Sequence, residues 1–458
     1  MVESVSKYQR YAEYKDSGVE WLGKVPSHWD ILSIARISNK ITNGYVGATR
    51  DIFFGSGVRY LQSLHIKNNT INFHTPYYVS ESWSNEKSKS ILKQGDVLIV
   101  QTGDIGQVAA VTKEFEGCNC HALIIVSGTE KISGFYLAWF LNSNYGRQTL
   151  KSIQTGALHP HLNCDAIKDI KITLPDIYLQ KTIANFLDHE TAKIDSLIEK
   201  QKQLIQLLKE KRQAVISHAV TKGLDPSVKM KDSGVEWLRE VPEHWKVTRF
   251  SYEIFYQEGP GILAVDFHET GIPLLRIQNV KSDFVSNDYK TYLLPSKVLA
   301  KWDHYRVDKG DLIISCSAST GLVSEVDEST VGAIPYTGLI RLKPRTRKIM
   351  TPFIKLLVQS DLFFEQIEVL QTGSTIQHFG PFHLQQMYIS LPPFEEQEFI
   401  CSEVQSSMLS LASLISKAES AIHFMLERRT ALISAAVTGK IDVRNWQNPI
   451  DAKTELSA

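Results

Sequence analysis

The side chains of this 458-residue chain that could address another molecule are hydrogen-bonding forks, not a catalytic set. Gln62, His65 and Lys67 lie in the segment YLQSLHIK, and Arg276, Gln278, Asn279 and Lys281 lie in LLRIQNVK. Arginine matches the acceptor edge of guanine, and glutamine or asparagine matches the mixed edge of adenine, so these residues suit the reading of base edges. Thr42, Asn43 and Gly44, and Gln257, Glu258 and Gly259, are further candidate readers, expected on turns. Thr102 in the run Gln101 to Gly106, and Ser319 and Thr320 in the run Ser317 to Gly321, each follow an expected strand and could offer hydroxyls and backbone N–H groups to phosphate. Gln154 and Thr155, with Gln371, Thr372 and Ser374, lie at matching later places. Each of these types is also common on an ordinary solvated surface, so no single residue decides the matter.

A catalytic reading finds no support. There is no GxxxxGK[ST], GxGxxG after a strand, HExxH or GxSxG. Leu391-Pro392-Pro393-Phe394 has the outline of the (Asn/Asp)-Pro-Pro-(Phe/Tyr) motif of adenine methyltransferases, but leucine replaces the essential amide or carboxylate, and the tract reads as a strand end and helix start. Cys118-Asn119-Cys120-His121 offers part of a metal set without the second pair a structural zinc site needs. The five cysteines are scattered and odd in number, the pattern of reduced thiols.

These residues need a scaffold, and the composition permits a large one. Apolar residues make up 43% and charged residues 22%, as in globular proteins, and the length suits two to four domains. The longest unbroken aliphatic stretch, near Leu123 to Val126, falls short of a membrane span, and the polar start has no signal-peptide core, so a cytoplasmic location with no membrane partner is expected. Net charge is zero, so any nucleic-acid site must come from local charge placement or from partner subunits.

The scaffold is one unit written twice. KDSGVEWLGKVPSHW (Lys15 to Trp29) matches KDSGVEWLREVPEHW (Lys231 to Trp245) at twelve of fifteen positions. The same displacement relates GDVLIVQTGDIGQVAAV to GDLIISCSASTGLVSEV, TGALHPHLNCDAIKDIKITLP to TGSTIQHFGPFHLQQMYISLP, and KRQAVISHAVTKGLD to RRTALISAAVTGKID. Between these anchors Ile31 to Lys93 and Val247 to Asp308 share little. A common scaffold therefore carries two different faces, which favours two ligands over neutral drift of loops.

The expected fold class is α+β: two strand-rich α+β domains separated by two long antiparallel helices in a pseudo-two-fold duplicated arrangement. From Tyr178 to about Ala219 there is no Gly or Pro, and Ile183, Phe186, Leu187, Ile194, Leu197, Ile198, Leu204, Ile205, Leu208, Val215 and Ile216 recur at helical spacing. Leu411, Leu414, Ile415, Ala418, Ile422, Met425, Leu432 and Ile433 do the same between Pro393 and Gly439. About 40 residues make each helix roughly 60 Å long, and the two apolar stripes are expected to bury each other. Boundaries are expected at 1–175 and 226–392 for the two domains, 176–225 and 393–442 for the two spacer helices, and 443–458 for a tail. Two domains on a rod suit an extended, periodic ligand such as duplex DNA.

These segments resemble the Type I restriction-modification specificity subunits, the HsdS family, over nearly the whole chain. The carriers are YKDSGVEWLGKVPSHW and MKDSGVEWLREVPEHW, the GD strands, LPPFEEQ (Leu391 to Gln397), the long helices, and the closing AVTKGLD and AVTGKID. The first unit departs at Leu174 to Gln180, which lacks the glutamate before the glutamine. The resemblance implies a non-catalytic subunit whose two target-recognition domains read an asymmetric bipartite double-stranded DNA target. It also implies that two methyltransferase subunits and the restriction/translocase subunits are partners, and that S-adenosylmethionine, ATP and Mg belong to them and no cofactor to this chain. Ile183, Phe186 and Leu187 are candidates for docking or for internal packing. A stand-alone DNA-binding regulator and a peptide-binding scaffold are the other readings.

Overall fold

The computed structural model describes residues 8–156, 160–316, 322–370 and 379–448. The chain divides into two compact units, Met1–Gln201 with Ser420–Ala458, and Lys202–Glu419. Each is mixed α and β.

In the first unit a four-stranded antiparallel sheet runs in the order Val108–Ala110, Val97–Val100, Leu123–Gly128, Ser38–Asn43. Val97–Val100 is buried at all four positions, so the unalternating run VLIV is a strand covered on both faces. Val97 and Ile99 face Tyr136, Leu137 and Phe140, while Leu98 and Val100 face a smaller core containing Leu61 and Cys120. That smaller core sits on a sheet of Asn119–Cys120, Val58–Leu61 and Tyr78–Val79. A ribbon of Asp30–Ser33 with Lys171–Leu174 closes the strand-rich part, so the divergent stretch leaves and returns at one place.

The second unit repeats this plan. Its sheet order is Ile254–Glu258, Leu339–Pro344, Leu312–Ser315, Val323–Glu325. The smaller sheet joins Tyr292–Leu293, Ile272–Leu275 and Ile334–Pro335, and the ribbon joins Lys246–Arg249 to Tyr388–Leu391. One difference is internal: Arg341 is buried and forks onto Asp311 (2.5 Å) and Asp308 (2.6 Å), where the first unit places the buried Ile125 in the same register.

The long helices run Ile177–Lys222 and Phe394–Val437. Asp176 starts the first by accepting the N–H groups of Tyr178 and Leu179 at 3.0 and 2.9 Å. Both units show the expected antiparallel pairing. In the first, the Val437 carbonyl at the end of the second helix accepts Thr173 Oγ1 (2.7 Å) beside the start of the first, and Arg429 forks onto Asp195 at 2.8 and 3.2 Å. In the second, the Val220 carbonyl accepts Ser390 Oγ at 2.6 Å.

A buried glutamine in the opening turn locks each helix to the strand-rich part beside it. Gln180 donates to the carbonyls of Pro175 (2.8 Å) and Lys131 (2.9 Å) and accepts the Ser133 N–H (2.8 Å). Gln397 donates to Pro392 (3.0 Å) and Lys348 (2.7 Å) and accepts the Met350 N–H (3.0 Å). The glutamate before the second glutamine, Glu396, bonds His244 at 2.7 Å; the first unit has Leu179 there, packed into the core.

Two expectations change. Ile183, Phe186 and Leu187 are buried, with the rings of Tyr8 and Trp446 against Phe186 at 5.5 and 5.8 Å, so they are internal packing and not a docking face. The apolar seam is also narrower than periodicity suggests, because Leu197, Leu204 and Leu414 are exposed. Among the described residues the second helix is long and apolar enough by length and composition to cross a membrane, a property that counting unbroken aliphatic runs overlooks. Its Ile400, Val404, Leu411 and Ala418 are buried, while most of the apolar stretch is not.

Each helix ends at a glycine of left-handed backbone, Gly223 (φ 73°) and Gly439 (φ 71°). In the second unit the chain simply continues to Trp245. In the first unit the same joint is assembled from the two chain ends: Tyr14 donates its hydroxyl to the Gly439 carbonyl (2.9 Å), and Asp442 N–H donates to the Gln9 carbonyl (2.8 Å).

Candidate nucleic-acid interface

The candidate readers of the first unit converge on one end of the main sheet. Thr42 and Asn43 are the last residues of strand Ser38–Asn43, paired with Ile125 and Ile124, and so lie on a strand end and not on the expected turn. Gly44 is required by close approach: a Cβ there would stand 2.6 Å from Cys120 Sγ and 2.7 Å from its carbonyl oxygen. This contact lets Tyr45 N–H reach the Cys120 carbonyl (2.9 Å), while His121 N–H reaches the Leu61 carbonyl (2.8 Å). Gly44, His121 and Gln62 are therefore neighbours, although distant in sequence.

The later loops join the same end. Asn43 Oδ1 accepts from Cys164 Sγ (3.1 Å), Leu162 N–H donates to the Gln101 carbonyl (3.0 Å), and Thr155 pairs with His161. Thr102 and Thr155 are exposed and Gln154 is half-buried.

The second unit uses the same register with different side chains. Gln257 and Glu258 end strand Ile254–Glu258, again on a strand end and not a turn. A Cβ on Gly259 would stand 2.2 Å from the Pro335 carbonyl and 2.4 Å from that of Tyr336. Tyr336 N–H bonds the Leu275 carbonyl at 3.0 Å, which sets Tyr336 beside Arg276 as His121 is set beside Gln62. The Arg276 guanidinium lies 4.2 Å from the Tyr336 ring centroid and 5.3 Å from that of Phe267. Glu258 is turned inward, accepting the Gly338 N–H (3.2 Å) and the Thr337 hydroxyl (3.3 Å).

His65 and Asn279 are corrected from readers to scaffold. His65 Nδ1 accepts the Gln62 N–H (2.9 Å) while its Nε2 meets the Thr75 carbonyl (2.8 Å), and the residue has no exposed surface. Burial lowers its pKa below the ordinary 6.5. Asn279 does the same work, with Oδ1 accepting the Arg276 N–H (2.9 Å) and Nδ2 donating to the carbonyls of Ser286 (2.9 Å) and Asp288 (3.0 Å). Buried groups whose polar atoms are spent on backbone have nothing left for a base. Lys67, Gln278 and Lys281 are exposed beside them. Ser319, Thr320, Gln371, Thr372 and Ser374 lie outside the described residues.

Sequence reasoning did not single out Tyr336 or Phe267, nor Tyr45 and Trp83, whose rings meet edge-on at 5.0 Å. Tyr336 is brought beside its candidate reader by the parallel pairing of the smaller sheet, which no short-range pattern shows, whereas Tyr45 directly follows Gly44 and was overlooked. The His121 ring is also held below its ordinary pKa by burial, offset in part by a backbone bond at Tyr45. Burial pushes the Cys118 thiol up to about 11 and Cys316 to about 12, so both are protonated at neutral pH. Among the described residues no group of three His, Cys, Asp or Glu side chains could hold a metal ion.

Comparison with known proteins follows the same division. The family model for the Type I restriction modification DNA specificity domain matches residues 26–207 and 270–408, together more than half of the chain. The Type I restriction enzyme MjaVIII specificity subunit of Methanocaldococcus jannaschii is 25% identical over 364 residues, covering 78% of this chain and 81% of that protein. The Type I restriction enzyme EcoKI specificity subunit of Escherichia coli is 22% identical over 465 residues, covering 95% and 94%. Among solved structures, a chain from a study of complex assembly and conformational transition in the type I R-M system aligns with a TM-score of 0.68 at 14% identity, covering 91% of this chain and 99% of that one. The HsdS subunit from Thermoanaerobacter tengcongensis aligns at 0.56 with 15% identity, covering 91% and 98%. The duplicated scaffold, its two unlike faces and the family match agree, and the chain belongs to the Type I restriction-modification DNA specificity subunits, the HsdS family.

Proposed function

We propose that each unit reads one half of an asymmetric bipartite DNA sequence, and that the chain itself carries out no catalysis. The observation that carries this reading is the register match: equivalent backbone positions hold Gln62 and Arg276, His121 and Tyr336, Asn43 and Glu258. One scaffold displaying different side chains at one place suits two different half-sites. Residues 1–175 and 226–392 are the recognition domains, 176–225 and 393–442 the spacer segments, and 443–458 the tail. Thr42, Asn43, Gly44, Gln62, Lys67, Thr102, Gln154, Thr155, Gln257, Arg276, Gln278 and Lys281 remain the candidate contacts, together with those outside the described residues.

Methyltransferase and restriction subunits are the proposed partners, and S-adenosylmethionine, ATP and Mg belong to them. The side chains of Leu197, Leu207, Leu409, Phe424 and Leu426 project unburied from the long helices, and they take the docking role first considered for Ile183, Phe186 and Leu187. Methylome sequencing of cells carrying this chain with its methyltransferase tests the reading. Adenine methylation at a gapped motif with unlike halves is expected. A continuous site, or a palindrome with identical halves, overturns it. Tight, salt-sensitive binding by the chain alone, with no methylation delivered, would point to a stand-alone regulator.

A further inference from the structure

The second unit prepares one arginine in an unusual way. Its backbone is fixed on both sides, by the Arg276 N–H bond to Asn279 Oδ1 (2.9 Å) and by the Tyr336 N–H bond to the Leu275 carbonyl (3.0 Å). Its guanidinium is stacked on Tyr336 at 4.2 Å and flanked by Phe267 at 5.3 Å, and these two rings meet edge-on at 6.0 Å. Ring stacking orients a guanidinium without using its N–H groups. Among the described residues no carboxylate or carbonyl receives a hydrogen bond from it, so a fork of donors is held in place and left unspent.

Two ligand groups on DNA fit such a fork, the O6/N7 edge of guanine and a backbone phosphate. The duplication separates them. Phosphates are the same at every sequence, so a phosphate contact retained by both units would keep a cation at the equivalent position. That position in the first unit is the uncharged Gln62, whose N–H bonds His65 as that of Arg276 bonds Asn279. The Gln62 residue is half-buried, and glutamine matches the N6/N7 edge of adenine. An exchange of arginine for glutamine at one register is what a change of recognised base requires.

We propose that positions 62 and 276 are one duplicated base-reading position, at which Arg276 specifies a guanine in the half-site of the second unit and Gln62 an adenine in that of the first. Tyr336 is the positioning residue of Arg276. This rests on the proposed bipartite reading and adds to it the identity of one base in each half.

The test maps the methylated motif with the full chain and its methyltransferase, comparing wild type with Arg276→Gln, Tyr336→Leu, Tyr336→Phe and Gln62→Arg. Arg276→Gln installs the residue that the first unit already carries in this register. It is expected to lose the requirement for one guanine, by on the order of 10- to 100-fold in discrimination, or to exchange it for adenine, with the other half unchanged. Tyr336→Leu should relax the same base, and Tyr336→Phe, which keeps the ring, should restore it. Gln62→Arg should change one adenine in the opposite half. The inference is overturned if Arg276→Gln methylates the unchanged motif at a uniformly lower level, the signature of a phosphate contact, or if the half that changes contains no guanine. In both cases the gapped motif still supports the functional reading. A wild-type chain that directs no gapped methylation overturns that reading and this inference with it.

Discussion

Replacing Gln397 by alanine removes three hydrogen bonds at the junction of the second long helix with its strand-rich neighbour. The Met350 N–H and the Lys348 and Pro392 carbonyls lose their partner. Only the bond to Pro392 is fully enclosed, while the other two are partly accessible and can recover water. An enclosed group left unmet costs about 1–3 kcal/mol. Allowing about half of that for each accessible one gives about 2–6 kcal/mol for the variant. If the junction opens locally, that change raises its open population by roughly 30- to 20,000-fold, at 1.4 kcal/mol per decade. Hydrogen exchange at the Met350 amide should accelerate accordingly, while the Ser133 amide, held by Gln180 in the first unit, should not change. Gln180→Ala should reverse the pattern. Gln397→Glu keeps the shape but sets a carboxylate against two carbonyls, so its loss should be greatest at neutral pH and shrink as the carboxyl protonates. Urea unfolding supplies the global figure. A Gln397→Ala protein within about 0.5 kcal/mol of wild type, with Met350 exchange unchanged, would refute the claim that this glutamine holds the junction.

Arg341→Met should lower the stability of the second unit by about 3–5 kcal/mol, because it leaves the buried Asp311 without its cation; chemical denaturation measures this, and a neutral effect would mean that solvent or a rearranged partner meets the carboxylate. His65 has its folded pKa held below the ordinary 6.5, so the unfolded chain binds protons more readily. Its contribution to stability is therefore present above pH 6.5 and is lost as pH falls from there toward the folded value. His65→Asn, the residue at the equivalent place in the second unit, should flatten that part of the melting-temperature profile and leave the share due to His121; an unchanged slope would be contrary. Gly44→Ala must displace the Cys120 backbone and should destabilise the first unit by about 1–3 kcal/mol, read by thermal melting. Exchanging Ile31 to Leu174 for the equivalent region of a relative should alter one half of the methylated motif; a change in both halves would contradict modular reading.

The duplication and the helices were legible because both are written in local patterns: repeated anchors, and apolar spacing uninterrupted by Gly or Pro. What periodicity could not show is which apolar positions the chain ends would cover. Phe186 looks like a free position until Tyr8 and Trp446, remote in sequence, are folded over it. The strand ends were mistaken for turns because Asn43-Gly44 and Glu258-Gly259 have turn composition, whereas each glycine is there to let a neighbouring strand pass at contact distance. His65 and Asn279 look like surface polar residues because the backbone groups that consume their hydrogen bonds come from loops several residues on. Arg276 was legible as a candidate by type alone. Its distinction lies in Tyr336, brought alongside by parallel pairing that no short-range pattern encodes.

The joint made from Tyr14, Gln9, Gly439 and Asp442 fixes an order of completion during synthesis. The second unit spans Lys202–Glu419, so all of its residues are synthesised before Ser420. The first unit begins at the N-terminus yet waits for residues after Ser420 to supply its closing helix and joint. At about 5–20 residues per second, the interval from Gln201 to Val437 is roughly 12 to 50 s. Through that interval Ile183, Phe186 and Leu187 lack the Ile433, Val437 and Trp446 side chains that later pack around them. The segment made before the second unit is thus closed after it, and its unfinished core is the surface a chaperone would meet.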